Sequence, residues 1–172
     1  MKEEKIEVRK SKIDNLGVFA KRNIKKGEVI LKFEGEIWSR KKVDKLESKN
    51  KELFEIFDKY SLQVDKDLFL FSKKIDDIDN FVNHSCNPNS YVYIKSPKEV
   101  FLIALRNVKK NEEITFDYST TMYNDRWTSK CKCKSKICRK VIREFKYLPT
   151  KIKNKYYKKN ILPKFILEQF FN

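Results

Sequence analysis

Residues 81–89 read Phe-Val-Asn-His-Ser-Cys-Asn-Pro-Asn and contain the only histidine of the chain, His84, together with Cys86. The other three cysteines begin 45 residues further on and form a C-x-C-x4-C pattern: Cys131, Cys133 and Cys138. Four thiolates are the ligand set of a closed tetrahedral zinc site. A zinc ion bound by all four would fasten the C-terminal segment to the loop that carries His84.

Two other arrangements of the cysteines are a pair of disulfides and four unrelated thiols. No apolar signal segment opens the sequence, which indicates a reducing compartment where disulfides are rare. A C-x-C pair also rarely closes a disulfide on itself. The pattern therefore favours zinc over a disulfide framework.

Length and composition favour one folded domain with a substantial core. The chain has 172 residues, of which 40% are hydrophobic, and it contains 13 Phe and 8 Tyr. This composition argues against disorder, and no apolar run approaches the roughly 20 residues of a membrane span. We expect a monomer with no membrane partner. Its expected location is intracellular, cytoplasmic or chromatin-associated, with export to a host as a further expectation.

The net charge of +16 is compatible with an acidic partner such as nucleic acid or chromatin. It is also expected of a chain from a lysine-rich proteome, in which lysine fills the solvated positions. Lysine pairs such as Lys25-Lys26 and Lys158-Lys159 are scattered along the chain rather than massed in one tail. This distribution favours the second explanation and predicts only non-specific contact with nucleic acid.

Short strands dominate the hydrophobic pattern, so the predicted fold class is mainly β with short helices. Apolar runs of strand length recur along the chain, at residues 68–71, 91–94, 100–105 and 114–116. Residues 40–58 instead show helical spacing, with Ser39 as a candidate N-cap. After Cys138 the pattern is helical again, with Pro149 and Pro163 in the first turns of two short helices.

Five motifs in order resemble those of the SET-domain protein-lysine methyltransferases. They lie at residues 15–20 (NLGVFA), 33–36 (FEGE), 81–89 (FVNHSCNPN), 111–118 (NEEITFDY) and 131–139 (CKCKSKICR). The last one is similar to the zinc motif that follows the SET domain in this family, the post-SET motif. The tail beyond about residue 141 is similar to that of small stand-alone SET proteins from bacteria.

The resemblance implies a SET-domain fold of small β-sheets with a pseudoknot, a zinc-stapled post-SET segment and a helical C-terminal tail. The implied division is a SET domain over residues 1–126 with an insert at about 39–60, a post-SET zinc segment over 127–140, and a helical extension over 141–172. In the family, the insert and the post-SET segment read the residues that flank the target lysine.

Glycine is scarce, and scarce glycine indicates a positive φ or a close backbone approach, with ordinary turn chemistry as the alternative. The chain has three: Gly17, Gly27 and Gly35. At three further positions where the family motifs carry glycine, this chain has other residues: Asn15, Asn111 and Lys134. Asparagine is the non-glycine residue that best tolerates left-handed backbone, so the loop at Asn15 is expected to keep its shape.

The resemblance implies methyl transfer from S-adenosylmethionine to the side-chain amine of a protein lysine, in a histone tail or another basic protein. In-line transfer needs a neutral amine aligned with the methyl sulfonium. The pKa of free lysine is about 10.4, and burial in a dry aromatic channel lowers it. Tyrosines suit such a channel because their rings enclose the lysine stem while their hydroxyls orient the amine.

Three catalytic residues are implied by the resemblance: Tyr118, Tyr60 and Phe116. For Tyr60, core packing is the alternative to a place in the channel. Phe116 lies at a position where a tyrosine hydroxyl would favour a single methylation, so the sequence predicts di- or trimethylation.

Six cofactor-binding residues are also implied: Leu16, Gly17, Asn83, His84, Tyr118 and Trp127. Trp127 is expected to stack on adenine, with anchoring of the post-SET segment as the alternative. The lone His84 invites a general-base role, but the resemblance assigns it to cofactor binding and packing. The implied zinc ligands are Cys86, Cys131, Cys133 and Cys138.

Two functions of other classes compete with this prediction. A catalytically silent SET module would bind peptides or chromatin, but Tyr118, Asn83 and His84 are all present. A small basic zinc protein would bind nucleic acid, but no C2H2 or aromatic-basic RNA motif occurs. Glu112 and Glu113 face opposite sides of a strand, which argues against a two-carboxylate hydrolase.

Overall fold

The computed structural model describes residues 5–124 and 127–171. The predicted boundary after residue 126, and the predicted termini at residues 1 and 172, fall on positions outside the described residues. The strands are β1 (Ile6–Lys10), β2 (Leu16–Ala20), β3 (Val29–Phe33), β4 (Glu36–Ser39), β5 (Leu62–Asp65), β6 (Leu68–Phe71), β7 (Asn83–His84), β8 (Ser90–Ser96), β9 (Glu99–Ala104), β10 (Glu113–Phe116), β11 (Ser129–Lys130) and β12 (Val141–Ile142). The helices are α1 (Arg40–Lys49), α2 (Lys51–Tyr60), α3 (Thr150–Lys158) and α4 (Lys164–Phe170).

The strands form four small sheets, which confirms the predicted fold class of small β-sheets with short helices. Their strand orders are β1-β2-β10-β7, β3-β9-β8, β4-β6-β5 and β11-β12. The pair β7–β10 is parallel, with Asn83 opposite Thr115 and His84 opposite Phe116. This pairing fixes the loop of residues 81–89 beside the strand that leads to Tyr118.

The main core lies between the sheets, where buried aliphatic residues of β2, β9 and β10 meet. Val18, Leu102 and Ile114 are fully buried within it. Antiparallel pairing of β10 with β2 places Ile114 opposite Val18. The β10 strand is therefore held on both edges, by β2 and by β7, and its end is a rigid support for Tyr118.

The insert is helical, as the spacing over residues 40–58 predicts, and consists of two helices, α1 and α2. Ser39 caps α1 as predicted, because its side chain accepts a hydrogen bond from the backbone N–H of Lys42. Asn50 interrupts the helix, and its side chain accepts from the backbone N–H of Leu53 to start α2. A cluster of buried aromatic residues anchors the two helices to β4 and β6: Trp38, Phe57, Phe69 and Phe71.

The tail folds into α3 and α4 around an apolar cluster of its own. Its buried members are Phe145, Leu148, Tyr156, Ile161, Leu162, Phe165 and Ile166. The cluster packs against Tyr91, Ile94 and Leu105 of the central region. Pro149 and Pro163 lie immediately before the first helical residues, one position earlier than predicted.

Positive φ angles occur at all three positions where the family pattern has glycine and this chain does not. The φ angle is +32° at Asn15, +68° at Asn111 and +53° at Lys134. Asparagine at two of them reduces the steric cost of left-handed backbone, as expected for Asn15. Gly35 also meets the expectation for a retained glycine, since a Cβ there would lie 2.7 Å from the carbonyl carbon of Phe71.

In the part of the chain that the structure describes, no helix has the length and apolar character needed to cross a membrane.

Candidate active site and metal centre

A cavity of about 820 Å³ opens beside the helical insert and is lined by residues of α1, α2, β5, β6 and the end of β10. The three predicted catalytic residues, Tyr60, Phe116 and Tyr118, all line it. Trp127, from the segment before the cysteine motif, lines it as well. The fold thus brings together four aromatic side chains that are up to 67 residues apart in sequence.

The aromatic rings form a continuous wall at the end of β10. The ring centroids of Phe116 and Tyr118 are 4.8 Å apart, and those of Tyr118 and Trp127 are 6.3 Å apart. Phe33 meets Phe116 edge-on, with 6.3 Å between centroids. A wall of this kind removes water from the stem of an inserted side chain and lowers the local dielectric, which disfavours a charged amine.

The hydroxyl of Tyr118 is held in place by a backbone carbonyl. It donates to the carbonyl oxygen of Val82 at 2.8 Å. Burial, aided by the carboxylates of Asp14 and Glu113, raises the pKa of Tyr118, so the phenol keeps its proton. A phenolic oxygen has one donor and two lone pairs. Because the donor is used by Val82, the lone pairs remain available to a group that enters the cavity.

His84 lies under Tyr118 with both ring nitrogens occupied. Nδ1 accepts the backbone N–H of Tyr118 at 3.2 Å, which leaves the proton on Nε2, 3.4 Å from the Sγ atom of Cys86. Burial lowers the pKa of His84 to about 4, and the Arg139 cation acts in the same direction against the Asp117 carboxylate. The ring is a neutral packing element between Tyr118 and the cysteines, which fits the packing role expected for it.

On the other side of β7, Asn83 links β2 to β10. Its side-chain amide donates to the carbonyl of Leu16 and to the carboxylate of Glu113, both at 2.8 Å. Gly17 lies under this contact, where a Cβ would be 2.3 Å from the Glu113 carboxylate and 3.0 Å from the Asn83 amide. A side chain at position 17 would therefore displace the Glu113 carboxylate or the Asn83 amide. We call the contact group of Leu16, Gly17, Asn83 and Glu113 the cradle.

Glu113 belongs to this cradle, although the sequence indicates it only as one of two paired carboxylates. Besides Asn83, Ser11 donates to it at 2.7 Å. Glu112 faces the other way and accepts from Asn89, as the strand alternation predicts. Glu113 reaches this position because β10 pairs with β2, where Glu113 lies opposite Phe19, 94 residues earlier in the chain. A single sequence does not reveal that pairing.

The predicted site residues therefore fall into two groups, those that line the cavity and those of the cradle. Tyr118 and its partner Val82 line the cavity, whereas the lining within the described chain does not include Leu16, Gly17 or Asn83. His84 contacts Tyr118 from beneath, with 5.3 Å between ring centroids.

A buried ionic contact next to Tyr118 was not predicted from the sequence. The Asp117 carboxylate accepts a bidentate pair of hydrogen bonds from Arg139, at 2.7 and 2.8 Å. It also accepts from the hydroxyl of Tyr156 on α3 at 2.9 Å, and burial raises the pKa of that hydroxyl so that it stays a donor. One carboxylate at the end of β10 thus joins that strand, the cysteine segment and the tail.

The four cysteines lie in one cluster, as the zinc hypothesis requires. Their Sγ atoms are all within 4.8 Å of one another, and those of Cys86 and Cys131 are 3.7 Å apart. Zn–S bonds of about 2.3 Å place the sulfur atoms of a tetrahedral site about 3.8 Å apart. Backbone N–H groups of Arg139 and Lys140 point at Cys86 and Cys138, at 3.3 and 3.4 Å, as suits thiolates. The donor set fits zinc.

Comparison with known proteins identifies the family. A family model of the SET domain matches residues 15–119. The chain is 33% identical over 140 residues to the variant-silencing SET domain-containing protein of Plasmodium falciparum (isolate 3D7), a match that covers 77% of this chain and 5% of that protein. It is 32% identical over 132 residues to the H3 lysine-4 specific histone-lysine N-methyltransferase of Schizosaccharomyces pombe, covering 75% and 14%.

A third relative is the human histone-lysine N-methyltransferase SETD1B, 30% identical over 141 residues, with 80% of this chain and 7% of that protein covered. The fold and the site define a domain of small β-sheets with an aromatic cavity beside a cysteine cluster. The family match and the relatives then specify it: the chain belongs to the SET-domain family. It spans between 5% and 14% of the length of these three relatives.

Proposed function

We propose that the chain transfers methyl groups from S-adenosylmethionine to the side-chain amine of a protein lysine, in a histone or another basic protein, and that it adds two or three methyl groups. The observation that carries this proposal is the aromatic cavity that ends at Tyr118, whose hydroxyl keeps its lone pairs free for an amine. Two relatives are named as histone-lysine N-methyltransferases, which supports the same reaction class.

The charge of the cavity supports a cationic substrate. The chain as a whole is strongly basic, with a net charge of +16. The cavity, in contrast, is lined by five carboxylates and two cations: Glu34, Asp44, Glu47, Asp58 and Asp79, with Arg40 and Lys59. Opposite charge raises the local concentration of a positively charged peptide. This favours a lysine flanked by other basic residues.

The chain's own residues perform three tasks in the proposed reaction. The rings of Tyr60, Phe116 and Trp127 enclose the lysine stem and exclude water, which lowers the pKa of the amine. The lone pairs of Tyr118 accept from the amine and align it. When bound, S-adenosylmethionine would supply the electrophilic methyl group, and the cradle of Leu16, Gly17 and Asn83 would hold it. Zinc would supply a rigid cross-link through Cys86, Cys131, Cys133 and Cys138.

We also propose the division into a SET domain over residues 1–126, a post-SET segment over 127–140 and an extension over 141–172. The separate apolar cluster of the tail supports the last boundary.

The direct test is methyl transfer from labelled S-adenosylmethionine to mixed core histones, followed by mass spectrometry of the products. We expect label on lysine, and no label on a matched peptide in which arginine replaces the target lysine. Cofactor binding without transfer to histones or to any protein of a lysate would contradict catalysis and would favour a silent binding module.

The substitution Phe116→Tyr should shift the product toward monomethyl-lysine. The new hydroxyl would lie beside Tyr118, 4.8 Å between ring centroids, and would hold the amine or a water in one orientation. One net hydrogen bond is worth about 0.5–1.5 kcal/mol. This energy is enough to slow the second and third methylation steps by a factor of a few to about ten. Product ratios at long reaction times measure the effect.

The matched control is Phe54→Tyr, which adds a hydroxyl to the same cavity but on α2. It should leave the product ratio unchanged. Wild-type protein that stops at one methyl group would refute the role assigned to Phe116.

A further inference from the structure

The positive charge of the chain is concentrated in its last quarter. Residues 127–172 contain 14 Lys and Arg but only two acidic residues, Glu144 and Glu168, so this stretch carries +12 of the net charge of +16. Residues 1–126 contain 26 basic and 22 acidic residues. Lysine pairs do occur throughout the sequence, but the acidic residues that offset them are almost absent from the tail. The lysines are therefore scattered as described above, but the net positive charge is concentrated in residues 127–172.

Helix α3 presents part of this charge as an ordered row. Lys151, Lys155 and Lys158 are exposed and follow the i, i+4, i+7 spacing that places residues on one face of a helix. With Asn154 and Lys159 they line a shallow surface depression. The opposite face of α3 is buried through Tyr156, which is 2% exposed. The row is thus fixed to the body of the protein.

The charges in this row are not neutralised by the protein itself. In the described ranges 5–124 and 127–171, no carboxylate forms an ion pair with Lys151, Lys155 or Lys158, whereas Lys164 on α4 pairs with Glu168. Like charges at these spacings on one helix face repel one another. An external polyanion would relieve this repulsion.

We propose that the outer face of α3 is a docking surface for the phosphate backbone of duplex nucleic acid. With a rise of 1.5 Å per residue, Lys151 and Lys158 are about 10 Å apart along the helix axis. Each strand of a duplex has one phosphate per 3.4 Å of axis, so the row spans about three phosphates. Contacts of this kind position a protein without reading sequence, and they would bring the methyltransferase to substrates bound on nucleic acid.

The row suits a nucleic acid better than an anionic membrane. Binding to a lipid surface requires an apolar helix face that enters the headgroup region. On α3 the apolar residues Ile152 and Tyr156 belong to the tail cluster, and the exposed Tyr157 stacks on Phe171 with 4.5 Å between ring centroids. The outer face offers only lysine and asparagine, which bind phosphate but do not insert.

The test is the salt dependence of binding to a 20-base-pair DNA duplex, measured by fluorescence anisotropy. The triple variant Lys151→Gln, Lys155→Gln, Lys158→Gln should bind at least tenfold more weakly at low salt. The slope of log K against log salt should shrink by about 2.7, because each phosphate that a lysine no longer neutralises lowers the slope by about 0.9. Methylation of a free peptide should be unchanged, which separates this proposal from the proposed function.

Two matched variants make the test specific. Lys41→Gln, Lys45→Gln, Lys49→Gln removes the same charge from exposed positions of α1 and should change the slope by less than about 1. Lys151→Arg, Lys155→Arg, Lys158→Arg keeps the charge on α3 and should keep the wild-type slope. Equal weakening by the α1 and α3 glutamine variants, or wild-type binding by the α3 glutamine variant, overturns the proposal. Stronger binding to phosphatidylserine vesicles than to the duplex also overturns it.

Discussion

Replacing Tyr118 by phenylalanine should reduce turnover by about 100-fold or more while cofactor affinity changes little. The Tyr118 hydroxyl donates its proton to Val82, so its lone pairs are the part of the group that can accept from an amine. Without it the amine loses the hydroxyl proposed to align it, and misalignment of reacting groups costs on the order of 100-fold in rate. The ring remains, so its tilted contacts with the Phe116 and Trp127 rings persist. Single-turnover kinetics and calorimetry with S-adenosylhomocysteine separate the two effects.

Asn83→Ala should give the opposite result. Its amide connects the Leu16 carbonyl and the Glu113 carboxylate in the cradle below Gly17, so cofactor affinity should fall about tenfold or more. Turnover at saturating cofactor should fall much less. The two variants thus assign catalysis to the cavity side and cofactor binding to the cradle side of Tyr118.

The matched control for Tyr118→Phe is Tyr123→Phe. The Tyr123 hydroxyl contacts Gln169, 3.0 Å away, and Tyr123 is not part of the cavity lining in the described chain. Its removal should leave turnover unchanged. Equal loss of cofactor affinity in the Tyr118 and Asn83 variants would contradict the division between cavity and cradle.

Local features of this fold were predictable because each is determined by residues that lie close together in the sequence. The Ser39 cap, the strand-length apolar runs and the left-handed backbone at Asn15 each depend on near neighbours. The helix break at Asn50 was not predicted, because the apolar spacing continues across it. Asn50 ends one helix and starts the next by accepting from Leu53, and nothing in the hydrophobic pattern marks that event.

Candidate site residues could be proposed from the sequence, but their spatial arrangement could not. Motif resemblance indicated Tyr118, Asn83 and the cysteines, yet it gave no partner for Glu113 or Asp117. Strand register brings Asn83 to Glu113 across 30 residues of sequence. Packing of the tail brings Tyr156 to Asp117 across 39 residues. Long-range pairing of this kind depends on the whole core, and a single sequence does not specify it.

Removing zinc should abolish methyl transfer and disorder the post-SET segment, while the tail stays folded. Zinc analysis should find one ion per chain. The binding free energy of a structural zinc site is about 10–16 kcal/mol, comparable to the whole stability of a domain, about 5–15 kcal/mol. Without the metal, residues 127–140 would be left with few buried side chains, and Trp127 would no longer complete the cavity wall.

The tail should survive because its stability has another source. Phe145, Tyr156 and Ile166 are buried in an apolar cluster that contacts Tyr91 and Ile94, and none of these contacts involves a cysteine. Hydrogen–deuterium exchange after chelation should therefore show fast exchange over residues 127–140 and continued protection over 145–166. Zinc should restore both protection and activity, whereas magnesium should not, because it prefers oxygen ligands.

Single substitutions in the cluster should reproduce the effect of chelation. Cys86→Ser removes the ligand that connects the cluster to the His84 loop, so it should release the post-SET segment as completely as Cys138→Ser does, although it lies 52 residues away in sequence. Ser135→Ala is the matched control, because the Ser135 hydroxyl lies 3.4 Å from the Cys133 Sγ atom but offers no sulfur ligand. It should keep zinc and activity. Full activity in zinc-free protein, or in Cys86→Ser, would show that the cluster does not hold the cavity closed.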